Sequence, residues 1–184
     1  TGSANLPTTL AAYDQTYNGS TYGDAFVSKI NSAGNNLLAS TYLGTNQLDI
    51  GWGIYVDANN EIFVTGYTEG ASFPTTTCAF DNSFNGPSQA PFNADYFVVK
   101  FNSTLTTLKY STFIGGTDQD YWEPKIKLID TPCDQRAVCS GTSHSINFPT
   151  TSGVVFPLKM YGSDDTPTIF NFKPKIYPGF IINL

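Results

Sequence analysis

Residues 51–76, GWGIYVDANNEIFVTGYTEGASFPTT, decide the fold. Ile54-Tyr55-Val56 and Ile62-Phe63-Val64-Thr65 are short β-branched and aromatic runs, the side chains that fit a pleated, half-buried surface. Asp57-Ala58-Asn59-Asn60-Glu61 between them is turn chemistry, so the unit reads as a β-hairpin. Gly66 ends the second run, and Phe73-Pro74-Thr75-Thr76 leads into a long connection.

The pattern recurs. Residues 125–130 and 137–142 form a second such pair, followed by Phe148-Pro149-Thr150-Thr151. Gly66 to Gly141 and Phe73 to Phe148 are both separated by 75 positions, and Leu6-Pro7-Thr8-Thr9 is an earlier trace of the same motif. A second block, GDAFVSKINSAGNNLLASTYLG at 23–44, aligns without gaps on ADYFVVKFNSTLTTLKYSTFIG at 94–115. Its offset is 71, and it matches Asp24 with Asp95, Phe26 with Phe97, Lys29 with Lys100 and Ser40 with Ser111. Each block is two strands and a turn. Two hairpins make a four-stranded unit of roughly 70 to 75 residues, longer than the common propeller blade lengths of about 40 to 50.

The combination of STYLG, G-x-G-I-x-V-D, F-V-T-G-Y-T, F-P-T-T and D-A-F-V-x-K-x-N resembles the bacterial SBBP β-propeller repeat over about residues 6–151, and more weakly beyond. The resemblance implies an all-β propeller segment of about two to two and a half four-stranded antiparallel blades, part of a larger ring. Residues 1–50 would be the end of a preceding blade, with strands at 25–30 and 37–43; 51–115 a complete blade; and 116–184 most of a following one. It also implies a secreted or cell-surface bacterial protein. No catalytic residue transfers with it.

Composition agrees with short strands joined by polar turns: 13% charged and 15% aromatic residues, with no sustained helical periodicity. The net charge of −6 has the wrong sign for sequence-independent binding to a phosphate backbone, so no nucleic-acid partner is expected. Lys125, Lys127, Lys159, Lys173 and Lys175 alternate with apolar residues and read as outward-facing strand positions. No apolar run reaches the roughly 18 to 20 residues of a membrane span. Closed propellers need about 4 to 8 blades. An open stack showing on the order of 500 Å² of apolar surface at each end would forgo about 12 kcal/mol of burial per face. The expected partners are therefore further blades of the same polypeptide, or identical subunits closing a ring.

Candidate chemistry is sparse. Asp118, Asp120, Tyr121 and Trp122 combine carboxylates with aromatic faces and are the best candidates for a glycan contact. Asp57, Asn59 and Glu61 place oxygen ligands at alternate positions, as calcium loops do, but without the full loop pattern; no cofactor is otherwise expected. Trp52 and Trp122, at related positions, read more simply as packing between blades. Asp24 and Asp95 read as strand-entry hydrogen-bonding groups, repeated because the unit repeats. Cys133 and Cys139 flank residues 134–138, read as a turn, and as cross-strand neighbours would make a disulfide, leaving Cys78 over; three reduced thiols are the alternative. His144 lies between Ser143 and Ser145, yet side chains adjacent along a strand point to opposite faces, so no dyad forms locally. The expectation is a non-catalytic structural or adhesive module. A glycan-binding module is the alternative, and a secreted carbohydrate-active hydrolase or lyase a more distant one. Long connections at 79–94 and 157–178 are the expected contact loops.

Overall fold

The computed structural model describes residues 1–19, 22–86, 93–131, 134–150 and 168–170, with the backbone alone at 129–131, 134–136 and 168–170. The described residues contain no helix and form three antiparallel sheets. β1 (Ala25–Ile30) pairs with β2 (Leu37–Leu43); β3 (Asp49–Val56), β4 (Ile62–Thr68), β5 (Asp95–Phe101) and β6 (Leu108–Ile114) follow in sequence order as a four-stranded meander; β7 (Asp120–Thr131), β8 (Asp134–Ser143) and β9 (Thr168–Phe170) make the third sheet. Among the described residues no helix is long and apolar enough to cross a membrane.

Strands β4 and β5 of the middle sheet are buried on both faces, and the period of two explains how. On β4 and β5, Ile62, Val64, Phe97, Val99 and Phe101 turn to the first sheet and meet Ala25, Val27, Ala39 and Leu43. Their neighbours Phe63, Tyr96 and Val98 turn the other way, to Leu128 and Ala137 of the third sheet. Strands buried on both sides read as continuous apolar runs, which is why 96–99 is YFVV. Phe73 closes the first core by stacking on Phe97, ring centroids 4.5 Å apart.

The Pro-Thr-Thr connections cover sheet edges. Thr76 N donates to Ser111 O at 3.0 Å and Phe113 N to Asp81 O at 2.9 Å, so this connection lies along β6; Thr9 and Asp14 do the same for β2 through Ser40 and Tyr42. A row of backbone groups that would template aggregation is thereby used. The turn at 57–61 is closed by Asp57 N to Glu61 O, with Asn60 at φ 60°.

Three expectations change. Gly66 lies inside β4, which runs on to Thr68. Residues 134–138, expected as a turn, belong to β8, whose hairpin closes between Thr131 and Asp134 because β7 is longer than its apolar run. That register sets Cys139 opposite Ile126, and Cys139 is a free thiol; Cys133 lies outside the described residues. The connection expected at 157–178 contains the short strand β9, paired with Cys139, Ser140 and Gly141. The strand expected at 179–184 lies outside the described residues.

Candidate functional site

Two centres dominate the polar interior, and they are copies of each other. Asp24 and Asp49 precede and begin β1 and β3; Asp95 and Asp120 begin β5 and β7, each 71 positions later. All four are fully or almost fully buried. Asp49 N donates to Gly23 O and Asp120 N to Ala94 O, which ties each strand start to the block before it. In the first centre Asp49 is saturated: Thr45 N (2.6 Å) and Thr45 Oγ1 (3.0 Å) donate to Oδ2, and Thr68 Oγ1 to Oδ1. Asp24 Oδ2 accepts from Asn18 N at 2.8 Å. Both carboxyl groups come within 2.9 Å of the point where a Gly44 side chain would begin, so only glycine fits there.

In the second centre Asn85 N donates to Asp95 Oδ2 at 2.7 Å, and Asp120 Oδ2 accepts from Gly116 N (2.7 Å) and Ser145 Oγ (2.8 Å). Burial is the main cause that pushes Asp49 up to about 6 and Asp95 up to about 7, with the charge of the neighbouring aspartate adding to it. The sequence singled out Asp24 and Asp95 but missed their partners; the signal was the same 71-residue offset between Asp49 and Asp120.

The glycan candidates divide. Asp120 is 0% exposed and committed to the interior, so it cannot meet a ligand at the surface. Tyr121, Trp122 and His144 form a stacked array, with centroid separations of 5.4 Å from Tyr121 to Trp122 and 5.8 Å from Tyr121 to His144. Trp122 is 57% exposed. Beside it the Tyr96 phenol enters the β7–β8 ladder, where Thr142 N donates to its oxygen at 2.7 Å and the Tyr121 and Thr142 carbonyls lie 2.6 Å away. Gly141 leaves room, since a Cβ there would lie 2.6 Å from Tyr96 Cζ. The ladder bulges between Tyr121 and Lys125, and Trp122 takes φ 89°. A non-glycine residue held at positive φ stores strain. Trp52, at the matching bulge of β3, is 49% exposed; neither tryptophan is buried between the sheets.

Asp118 N donates to Ser145 Oγ, and Ser145 Oγ is also 3.0 Å from Asp118 O. His144 Nδ1 lies 3.2 Å from Gln119 O. Ser145 and His144 therefore have separate partners. Asp57 Oδ1 accepts from Asn59 N and Glu61 N, and the Glu61 carboxylate is bound by Lys100 and Lys109, so the three residues serve the turn and its ion pairs. Lys125 and Lys127 are exposed and alternate with Ile126 and Leu128. Burial pushes the Cys139 thiol up to about 12, far from a reactive thiolate. It lines a cavity of about 20 Å³ with Thr65, Tyr96, Pro124 and Phe148, room for about one water.

Compared with protein-family models and with curated proteins, the chain matches none. What the site can do rests on its own geometry.

Proposed function

We propose that the chain is a non-catalytic structural and adhesive module, a β-propeller segment of the SBBP type within a secreted or cell-surface protein. The observation that supports this reading is the packing of repeat-equivalent sheets face against face, with β1–β2 on one side of the middle sheet and β7–β9 on the other. The margins of this stack are apolar: Trp52, Ile54 and Val56 of β3 and Phe26 and Ile30 of β1 are exposed. Such surface fits further blades of the same polypeptide or identical subunits. Loops such as 79–86 would then be presented to a partner by a rigid framework.

The test is the intact mass of the native polypeptide together with its mass in solution. A native chain several times 20.0 kDa with further STYLG and FPTT copies, or a discrete oligomer, is expected. A 20.0 kDa monomer at all concentrations overturns the reading.

The exposed, strained Trp122 on its Tyr121–His144 stack favours a second reading, a glycan contact in which a sugar ring lies on the free indole face. On a glycan array Trp122→Ala should weaken binding about tenfold, while Trp52→Ala should not. Equal loss in both variants, or no glycan binding by the unaltered protein, counts against it.

A further inference from the structure

We propose that the outer edge of β1 is a strand-addition site, filled by an extended segment of the β4 type from a further unit of the same polypeptide. Resting on the module reading above, this assigns one edge, one direction and one register. Among the described residues β1 has β2 on one side and no strand on the other, whereas its equivalent β5 lies between β4 and β6. Tyr42 N donates to Asp14 O and Thr9 N to Ser40 O, so Tyr42 and Ser40 of β2 turn these peptide groups away from β1. Residues opposite each other in an antiparallel pair turn inward or outward together. Phe26 and Ser28, which face Tyr42 and Ser40, therefore aim their N–H and C=O groups at the outer edge. On β5 the matching residues Phe97 and Val99 meet Gly66 and Val64 of β4. The third sheet repeats that register: Gly141 of β8 faces Thr168 of β9, 71 positions after Phe97.

One residue already sits on this edge. Thr1 N donates to Asp24 O at 2.5 Å and Asp24 N to Thr1 O at 3.0 Å, the reciprocal bonds of an antiparallel ladder. Thr68, the last residue of β4, faces Asp95 at the equivalent place. Thr1 stands 67 positions before Thr68, the offset that also sets Leu6-Pro7-Thr8-Thr9 on Phe73-Pro74-Thr75-Thr76. A segment antiparallel to β1 and ending at Thr1 thus has the direction and register of β4.

Side chains state what the segment carries. Lys100 of β5 is 2.7 Å from the carboxylate of Glu61, the residue just ahead of β4. Lys29 has the same place on β1, but among the described residues both ion pairs go to Glu61, and Lys29 Nζ lies 3.4 Å from Ser103 O. Phe26 is 47% and Ile30 58% exposed, whereas their equivalents Phe97 and Phe101 are fully buried. The occupant is therefore an extended, apolar segment with an acidic residue where β4 has Glu61; main-chain bonds supply its affinity and these side chains its selectivity.

The full chain would be mixed with a peptide copying residues 60–67, which stops short of the place Thr1 holds, and followed by amide hydrogen exchange. In the chain alone the Phe26 and Ser28 amides should exchange rapidly. At saturating peptide both should slow by at least about tenfold, while Val27, whose N–H faces β2, stays unchanged. Ser28→Pro removes an edge-facing N–H and no β1–β2 ladder bond, so it should fold without responding to the peptide. If it does not fold, the peptide carrying Val64→Pro must lose the effect on the unaltered chain. The proposal is overturned by slow exchange of both amides in the chain alone, by no slowing at any peptide concentration, or by slowing that survives both proline substitutions. Slowing that appears without peptide as the chain is concentrated overturns it too, and gives the edge to a second copy. The native mass decides the module reading separately: a 20.0 kDa monomer sinks that reading even where the peptide binds, and a longer native chain leaves it standing where the peptide does not.

Discussion

Gly66→Ala should lower Tm by about 6–12 °C, a loss of at least about 3 kcal/mol, while Gly51→Ala, directly opposite in the ladder, should cost about 1 kcal/mol or less. Gly66 is in the middle of β4, between Gly51 of β3 and Phe97 of β5. A Cβ there would run into the Ile50 carbonyl, with its carbon at 2.9 Å and Phe97 Cζ at 2.6 Å. The obstacle is backbone, so no rotamer change relieves it. Moving Ile50 would disturb the bulge between Gly51 and Gly53, and moving Phe97 would disturb its stack on Phe73 in the first core. A Gly51 Cβ meets only Ala25 Cβ at 3.6 Å and Val64 Cγ1 at 3.8 Å, ordinary van der Waals contact. Thermal unfolding of the two variants side by side is the check. Equal Tm values would mean that the β3 bulge does not hold Ile50 where the ladder places it.

That bulge marks the boundary of what the sequence made legible. The hairpin at 54–65 and the two-strand blocks at 23–44 and 94–115 could be read because they are β-branched and aromatic runs joined by turns rich in Asp, Asn and Gly; β1 and β2 coincide with the expected runs at 25–30 and 37–43. The repeat predicted which positions would be equivalent. It did not reveal that Asp49 and Asp120 join Asp24 and Asp95, since a buried carboxylate and a turn carboxylate look alike in a sequence. Nor did it place Trp52 and Trp122 outward, because both lie at β-bulges, a shift in ladder register that the sequence pattern does not announce. Residues 134–138 were misread because Asp134, Gln135 and Arg136 are polar turn-formers by composition, while the pairing of β7 with β8 extends the strand through them. Long-range pairing overrides local preference there.

Between pH 4 and pH 7 the unaltered protein should lose about 2 kcal/mol of stability relative to Asp49→Asn. Burial holds the Asp49 carboxyl at about 6, and the Asp24 charge adds to the rise, although Thr68 and Thr45 donate to it and pull it down. A carboxyl whose value is raised on folding binds its proton more tightly in the folded chain. Its contribution is therefore fully present below the unfolded value near 4, and is lost as pH rises through about 6. Asp24 is raised in the same direction, and Glu61, held down by Lys100 and Lys109, runs the opposite way. Taking the difference between the two proteins cancels Glu61 and keeps Asp49 with the part of Asp24 that depends on it. Asparagine retains an oxygen for Thr45 N and carries no charge, so the variant should gain on the unaltered protein as pH rises and level off above pH 7. Urea denaturation at pH 4, 5, 6 and 7 is the measurement. A difference independent of pH would mean that Asp49 stays ionised at the start of β3, its charge carried by the three hydrogen bonds from Thr45 and Thr68 alone.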